Sequence, residues 1–282
     1  MPQKTLAYAA ALAALLVPAR AYAIVVAADD SGDAAYNSGW ATGTNGGSGF
    51  GAWTLRTTGG NAGSFQGNSD VNAGGDAFGL WASIGDRSAA YRAFNLTNGY
   101  TFLRAGDTFA WSMDNGGVDD SGSSVGLSLR TGNAASDAQD GTIFSDRRFA
   151  FEFQQGASNY KIIDSTGNRD TGIGWRNSGL HLSLTLTGAD SYSLQVTDAV
   201  TSNTLGMFTG TFTGTAGAQI NSLSIYNRFA GSGGARDAFF NNFAVNAVPE
   251  VSPVLAIPAA LAIAGAGRAA WRRRRGALSF GR

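Results

Sequence analysis

The stretch Gly179–Asp198 reads GLHLSLTLTGADSYSLQVTD, and it decides the fold class. Leu180, Leu182, Leu184 and Leu186 fall on one face of an extended chain. His181, Ser183, Thr185 and Thr187 fall on the other. Strict period-two alternation of apolar and polar residues marks a strand with one buried face. After the short loop around Gly188, Tyr192, Leu194 and Val196 repeat the pattern, so the stretch predicts a β-hairpin.

Working outward, the same alternation recurs. In RRFAFEFQQ, Arg147–Gln155, three phenylalanines at 149, 151 and 153 share one face, and Ala150, Glu152 and Gln154 share the other. Similar runs cover Phe78–Ile84, Tyr91–Leu96, Thr108–Met113, Val125–Leu129, Tyr160–Ile163, Met207–Phe212, Leu223–Tyr226 and Phe239–Val245. Turn clusters rich in Gly, Asn, Asp and Ser separate them. No helical period stands out between residues 24 and 247, and no proline occurs there. Many short strands without a linker predict one all-β domain over 24–247, an antiparallel β-sandwich, with a closed barrel as the alternative.

Composition bounds the function. The 282 residues carry no formal net charge, but of 20 basic residues only 12 lie in 24–247, against 19 acidic ones, leaving the body at −7. An acidic body argues against nucleic acid as a partner. The absence of cysteine excludes thiol catalysis and cysteine-held metals. Seventeen phenylalanines and six tryptophans argue that the 40 glycines punctuate strands rather than a disordered chain.

Both ends have the character of addresses. Lys4, an apolar run over 5–17 and the small-x-small triplet Ala21-Tyr22-Ala23 have the parts of a signal peptide over 1–23, cut by signal peptidase before Ile24. The other end, Val248–Arg282, reads VPEVSPVLAIPAALAIAGAGRAAWRRRRGALSFGR. Val251 to Trp271 is an apolar span whose one charge is Arg268, and Arg272, Arg273, Arg274 and Arg275 follow as a cytoplasmic anchor. The motif Val248-Pro249-Glu250, a transmembrane helix and an arginine cluster, in that order, resemble the PEP-CTERM sorting signal of exported bacterial proteins. Two departures are Val251 in place of the family's proline and the seven residues after Arg275. The resemblance implies an exosortase-type membrane protease as partner, removal of the tail, and a final place at the cell surface or outside the cell. A plain membrane anchor is the alternative reading. The body, with its closing stretch AFFNNFAVNA at 238–247, resembles a concanavalin-like jelly roll. The blocks Tyr36–Leu55 and Gly74–Ser83 resemble a module recurring in exported proteins that carry such a tail.

Candidate chemistry in the body is sparse. His181 is the only histidine, with no nucleophile motif beside it in sequence. Glu152 is the body's only glutamate. Concanavalin-like sandwiches include glycoside hydrolases, which makes Glu152 the candidate for catalysis on extracellular polysaccharide, but that chemistry needs two carboxylates and its strand supplies one. In SMDNGGVDDSGSS, Ser112–Ser124, Asp114, Asn115 and Asp119 beside Asp120 offer hard oxygen ligands for a structural Ca²⁺, against a turn that caps itself. No cofactor is otherwise required. Trp40 and Trp175, in glycine-rich segments, are candidates for stacking on sugar rings, while Trp111 alternates with core residues and Trp81 is open to either face. The expected role is a structural or adhesive matrix protein that binds polysaccharide.

Overall fold

The computed structural model describes residues 23–132, 138 and 140–248. The signal peptide before residue 23 and the tail from Pro249 onward, with Glu250, the apolar span and Arg272 to Arg275, lie outside the described residues. No helix among the described residues is long and apolar enough to cross a membrane.

Two antiparallel sheets pack face to face as a β-sandwich. The first runs, in spatial order, β13 (Thr204–Thr211), β12 (Ser191–Asp198), β11 (Leu180–Leu186), β6 (Thr108–Asn115), β15 (Ala238–Ala247), β4 (Ala77–Ala82) and β3 (Ala62–Gly67). The second runs β10 (Gly167–Gly174), β9 (Asn159–Asp164), β8 (Arg147–Gln154), β7 (Ser124–Arg130), β14 (Ser222–Arg228), β5 (Arg87–Ala93) and β2 (Thr54–Thr58). Among the described residues no strand pair joins the two, so the closed-barrel alternative is set aside.

The alternating stretches fold as their periodicity requires. Leucines 180 to 186 are buried against the opposite sheet, and Leu186 pairs with Tyr192 across the predicted hairpin. Phe149, Phe151 and Phe153 face the same core, and Phe149 meets Tyr192 of the other sheet edge-on, with ring centres 5.0 Å apart. Burying such side chains supplies about 1.5–3 kcal/mol each, the main driving force of the fold.

Strand β15 has two neighbours on one side. Its first residues, Ala238 to Phe240, pair with β4, and Phe243 to Ala247 pair with β1 (Ile24–Asp29). The switch falls at a bulge where Asn242 takes φ 53°, a left-handed conformation that asparagine tolerates better than most residues. Asn241 closes the split. Its Oδ1 accepts from the Ser31 backbone N–H at 2.9 Å, and its Nδ2 donates to Ser31 Oγ at 2.9 Å and to the Asp76 carbonyl at 3.0 Å.

A buried polar network ties β1 of the first sheet to β5 of the second. Arg92 donates to Asp29 Oδ2, to the Gly51 and Gly46 carbonyls and to Asn45 Oδ1. Its guanidinium lies 4.8 Å from the Phe50 ring centre and 5.0 Å from that of Trp53. Asp29 Oδ2 also accepts from the Tyr36 hydroxyl at 2.8 Å, which in turn accepts from Trp53 Nε1 at 3.1 Å.

One segment lies over the outer face of the second sheet. After β7 the chain reaches a single helical turn, α1 (Asp140–Ile143), and Ala138, Ile143 and Phe144 pack on Ala89, Tyr91 and Tyr226. That small second core covers part of a face that would otherwise meet water.

Candidate functional site

The outer face of the first sheet carries two adjoining surfaces. Over β6, β11 and β12 it is a field of hydroxyls and amides. Ser112 stands opposite His181, and His181 opposite Thr197; Ala110, Ser183 and Gln195 form the next row, and Thr108, Thr185 and Ser193 the third. A shallow cavity of about 280 Å³ is lined by Ser112, His181, Ser183, Gln195, Thr197 and Asn242. Ser112 Oγ is 2.7 Å from His181 Nδ1 and accepts from Asn242 Nδ2 at 3.1 Å. Burial lowers the His181 pKa and favours the neutral ring, opposed by its hydrogen bond with the Ala199 backbone and by the charge of the Asp198 carboxylate. The sequence shows no partner for His181 because Ser112 is 69 residues away and meets it only through strand pairing. Both edges of β6 are paired, so backbone donors of the kind that stabilise an oxyanion are committed to the ladder around Ser112.

Beside this field, β3, β4 and β15 build an aromatic platform. Gly63 pairs with Trp81, and Phe65 pairs with Gly79, which pairs in turn with Phe239. The indole of Trp81 lies on Gly63 so closely that a Cβ there would fall 2.6 Å from Nε1. Phe65 lies on Gly79 and Gly67 in the same way, with Cβ positions 2.6 and 2.7 Å from its ring. Phe239 meets Phe65 edge-on at 5.6 Å. The glycines let the rings pack close against the sheet, and Trp81 keeps 37% of its surface exposed. The signal was present in the sequence as Gly63-x-Phe65-x-Gly67 against Gly79-x-Trp81, glycine alternating with aromatics on one face.

On the opposite side of the molecule, Glu152 lies at the base of a groove of about 540 Å³, with Arg147, Arg228, Gln154, Gln155, Asn168 and Phe144 among its lining. Glu152 is 3% exposed. Its Oε2 accepts from the Tyr226 hydroxyl and its Oε1 from Gln154 Nε2. Burial and the neighbouring Glu152 carboxylate push the Tyr226 phenol well above its ordinary pKa, which keeps it a donor. Among the described residues Glu152 is the one carboxylate in the lining.

The remaining sequence candidates are placed as follows. Trp40 is 6% exposed and packs against Trp53 and Phe78 in the core, which corrects its expected place on the surface: no face of it is open to a sugar. Trp175 is 43% exposed, and its Nε1 donates to the Asn115 carbonyl at 2.9 Å. Asp114, Asn115 and Asp119 each have another partner in the structure. Asn115 Oδ1 accepts from Tyr160, Asp119 pairs with Arg236, and Asp114 takes the Asp70 backbone N–H. Burial raises the Asp114 pKa, and the Asp70 carboxylate adds to it. Among the described residues no three His, Asp or Glu side chains converge as a metal site. Val248 is exposed; Pro249 and Glu250 of the sorting motif lie outside the described residues.

No protein-family model matches the chain, and no curated protein matches it. Several solved structures are similar in fold. A conserved carbohydrate esterase from Shiga toxin-encoding bacteriophage phi24B is 16% identical, over 81% of this chain and 100% of that one, with a TM-score of 0.48. The exoplasmic/lumenal domain of VIP36, in its Ca²⁺/Man3GlcNAc-bound form, is 7% identical over 71% and 87%, with a TM-score of 0.40. Arcelin-5, a lectin-like defense protein from Phaseolus vulgaris, is 10% identical over 69% and 91%, with a TM-score of 0.40.

Proposed function

We propose that this β-sandwich is an exported glycan-binding module, holding polysaccharide on the outer face of its first sheet. The observation that carries the reading is the Trp81 indole, packed closely on Gly63 and still 37% exposed. A flat apolar ring accepts the C–H face of a sugar, and the adjoining hydroxyls and amides of Ser183, Gln195, Thr197 and Asn242 are suited to hydrogen-bond its hydroxyls. Export through the signal peptide, tail removal by an exosortase-type protease after membrane insertion, and a surface or matrix role complete the proposal. They rest on the order of signals at the two ends.

The test is a glycan array followed by calorimetry on the full chain. Trp81→Ala should weaken the retained glycan by about tenfold, the equivalent of about 1.4 kcal/mol of lost stacking. Gly63→Val should do the same without touching a tryptophan, because its side chain must lift the indole. Retention of no glycan by the wild type, or equal affinity in wild type and Trp81→Ala, would overturn the reading.

A further inference from the structure

The two sheets differ sharply in charge. Each strand of the second sheet carries at least one arginine or lysine. The strands of the first sheet carry none, and their acids are Asp29, Asp114 and Asp198. Asp29 is buried against Arg92. Asp198 is buried too, pairs with Arg176 and accepts from Ser178 Oγ at 2.7 Å. Asp114, half-buried, shares a row with Phe239 and Gly79 at the border between the aromatic platform and the hydroxyl field. Asp237, just before β15, is also an acid, so the charge that borders the field is negative.

Within the field the outward rows are uncharged. Ala110, Ser183, Gln195 and Met207 stand side by side, and so do Thr108, Thr185, Ser193 and Thr209. Strand β15 adds Asn246 beside Thr108. His181, the titratable group of the third row, is held towards its neutral form by burial. Hydrogen-bonding capacity remains on this face. Gln195 donates Nε2 to Thr204 Oγ1 at 3.3 Å and keeps its carbonyl oxygen, and Thr108 and Thr185 bond each other at 2.8 Å with acceptor pairs to spare. Such an array matches sugar hydroxyls, which donate and accept without needing a counter-charge. A carboxylate or sulfate placed there would give up water and meet no cation, which costs far more than covering a hydroxyl. The charge of −7 on residues 24–247 adds long-range repulsion. An ammonium would find no carboxylate in these rows.

The layout also sets a length. Strands β15, β6 and β11 separate β4, which carries Trp81, from β12, which carries Gln195. Four strand spacings of about 4.8 Å put the two side chains at least about 19 Å apart, farther than a disaccharide reaches. The cavity between Ser112, His181 and Thr197 is shallow, so it follows a chain's side rather than enclosing its end.

We propose that the outer face of the first sheet selects a neutral polysaccharide, bound along its length rather than at its end. This rests on the platform reading above and adds the charge class and the minimum length of the ligand.

The test offers the full chain neutral hexasaccharides of glucan, mannan, galactan and N-acetylglucosamine. Beside them stand oligogalacturonate, sulfated galactan and chitosan oligomers of equal length. At least one neutral hexamer should be retained, and the charged probes should bind about tenfold more weakly or worse. By calorimetry the Kd of the retained hexamer should change less than about twofold between about 50 mM and 500 mM salt, since no charge pair is there to screen. Its disaccharide should bind about tenfold more weakly. Gln195→Ala should melt as the wild type and weaken the hexamer about two- to tenfold, the loss of one hydrogen bond. A charged probe bound as well as the neutral ones, through Trp81, would overturn the inference and leave the platform reading standing. Equal affinity for disaccharide and hexamer, or for wild type and Gln195→Ala, would overturn the lengthwise placement. A neutral hexamer lost on Gln195→Ala but unaffected by Trp81→Ala would uphold the neutral field while the platform reading failed. Retention of no probe would overturn both.

Discussion

Loss of Arg92 should strongly destabilise the fold. Its side chain and that of Asp29 are 1% and 0% exposed, and their ion pair joins one sheet to the other. Replacing Arg92 with Met keeps the aliphatic stem and some packing on Phe50 and Trp53. It removes the ion pair and leaves the Gly51 and Gly46 carbonyls and Asn45 without their donor. Breaking one side of a buried pair costs about 3–5 kcal/mol, chiefly because the partner charge stays buried. For a domain of this size 1 kcal/mol moves the Tm by about 2–4 °C, so Arg92→Met should melt about 6–20 °C below the wild type. The pH dependence identifies the cause. Burial already raises the Asp29 pKa above 3.8, with Arg92 pulling it back most strongly. Without Arg92 the folded pKa rises further. A carboxyl with a raised folded pKa contributes stability that is full below its unfolded pKa and is lost as pH rises through the folded one. The deficit of Arg92→Met should therefore be largest near neutral pH and shrink towards about pH 4. Asp29→Asn/Arg92→Met should recover part of the loss at pH 7, since no charge is left behind. Thermal melts followed by circular dichroism at several pH values read both effects. A Tm within about 2 °C of wild type at pH 7, or a deficit that does not change with pH, would refute the argument.

Two other substitutions probe separate parts of the fold. Burial alone raises the Asp237 pKa from 3.8 to about 6, and no described residue donates a hydrogen bond to its carboxylate. Its contribution to stability is thus lost between about pH 4 and pH 6, and Asp237→Asn should gain about 1–3 kcal/mol at pH 8 and nothing at pH 4, as urea titrations at the two pH values will show. Asn241→Ala removes three hydrogen bonds from a fully buried clasp and should cost about 2–4 kcal/mol, with β1 and the Ser31 turn losing amide-exchange protection before β11 and β12 do.

Much of the sandwich was legible because its central strands alternate strictly. Leu180 to Leu186 and Phe149 to Phe153 announce both their state and their buried face, since each side chain's partner is the generic interior of the opposite sheet. The strands that escape this reading, β1, β2, β3 and β10, lie in glycine-rich or mixed stretches whose burial is partial. In β3 glycine is a packing choice, whereas Gly167 and Gly172 of β10 take φ 94° and 70°. Gly63, Gly67 and Gly79 are small so that Trp81 and Phe65 can lie on them, a relation between strands that a single strand does not display. Trp40, set between Gly39 and Gly43, lies inside the core. Glu152 shows a second limit. Its position on a polar face follows from alternation, but its burial comes from Tyr226, 74 residues away, and from the segment around Phe144 laid over the sheet. Periodicity locates a side chain relative to its own strand. Whether that side chain then meets water, a ring or a second carboxylate depends on which distant segment crosses it, and in this protein both candidate ligand surfaces are decided at that level.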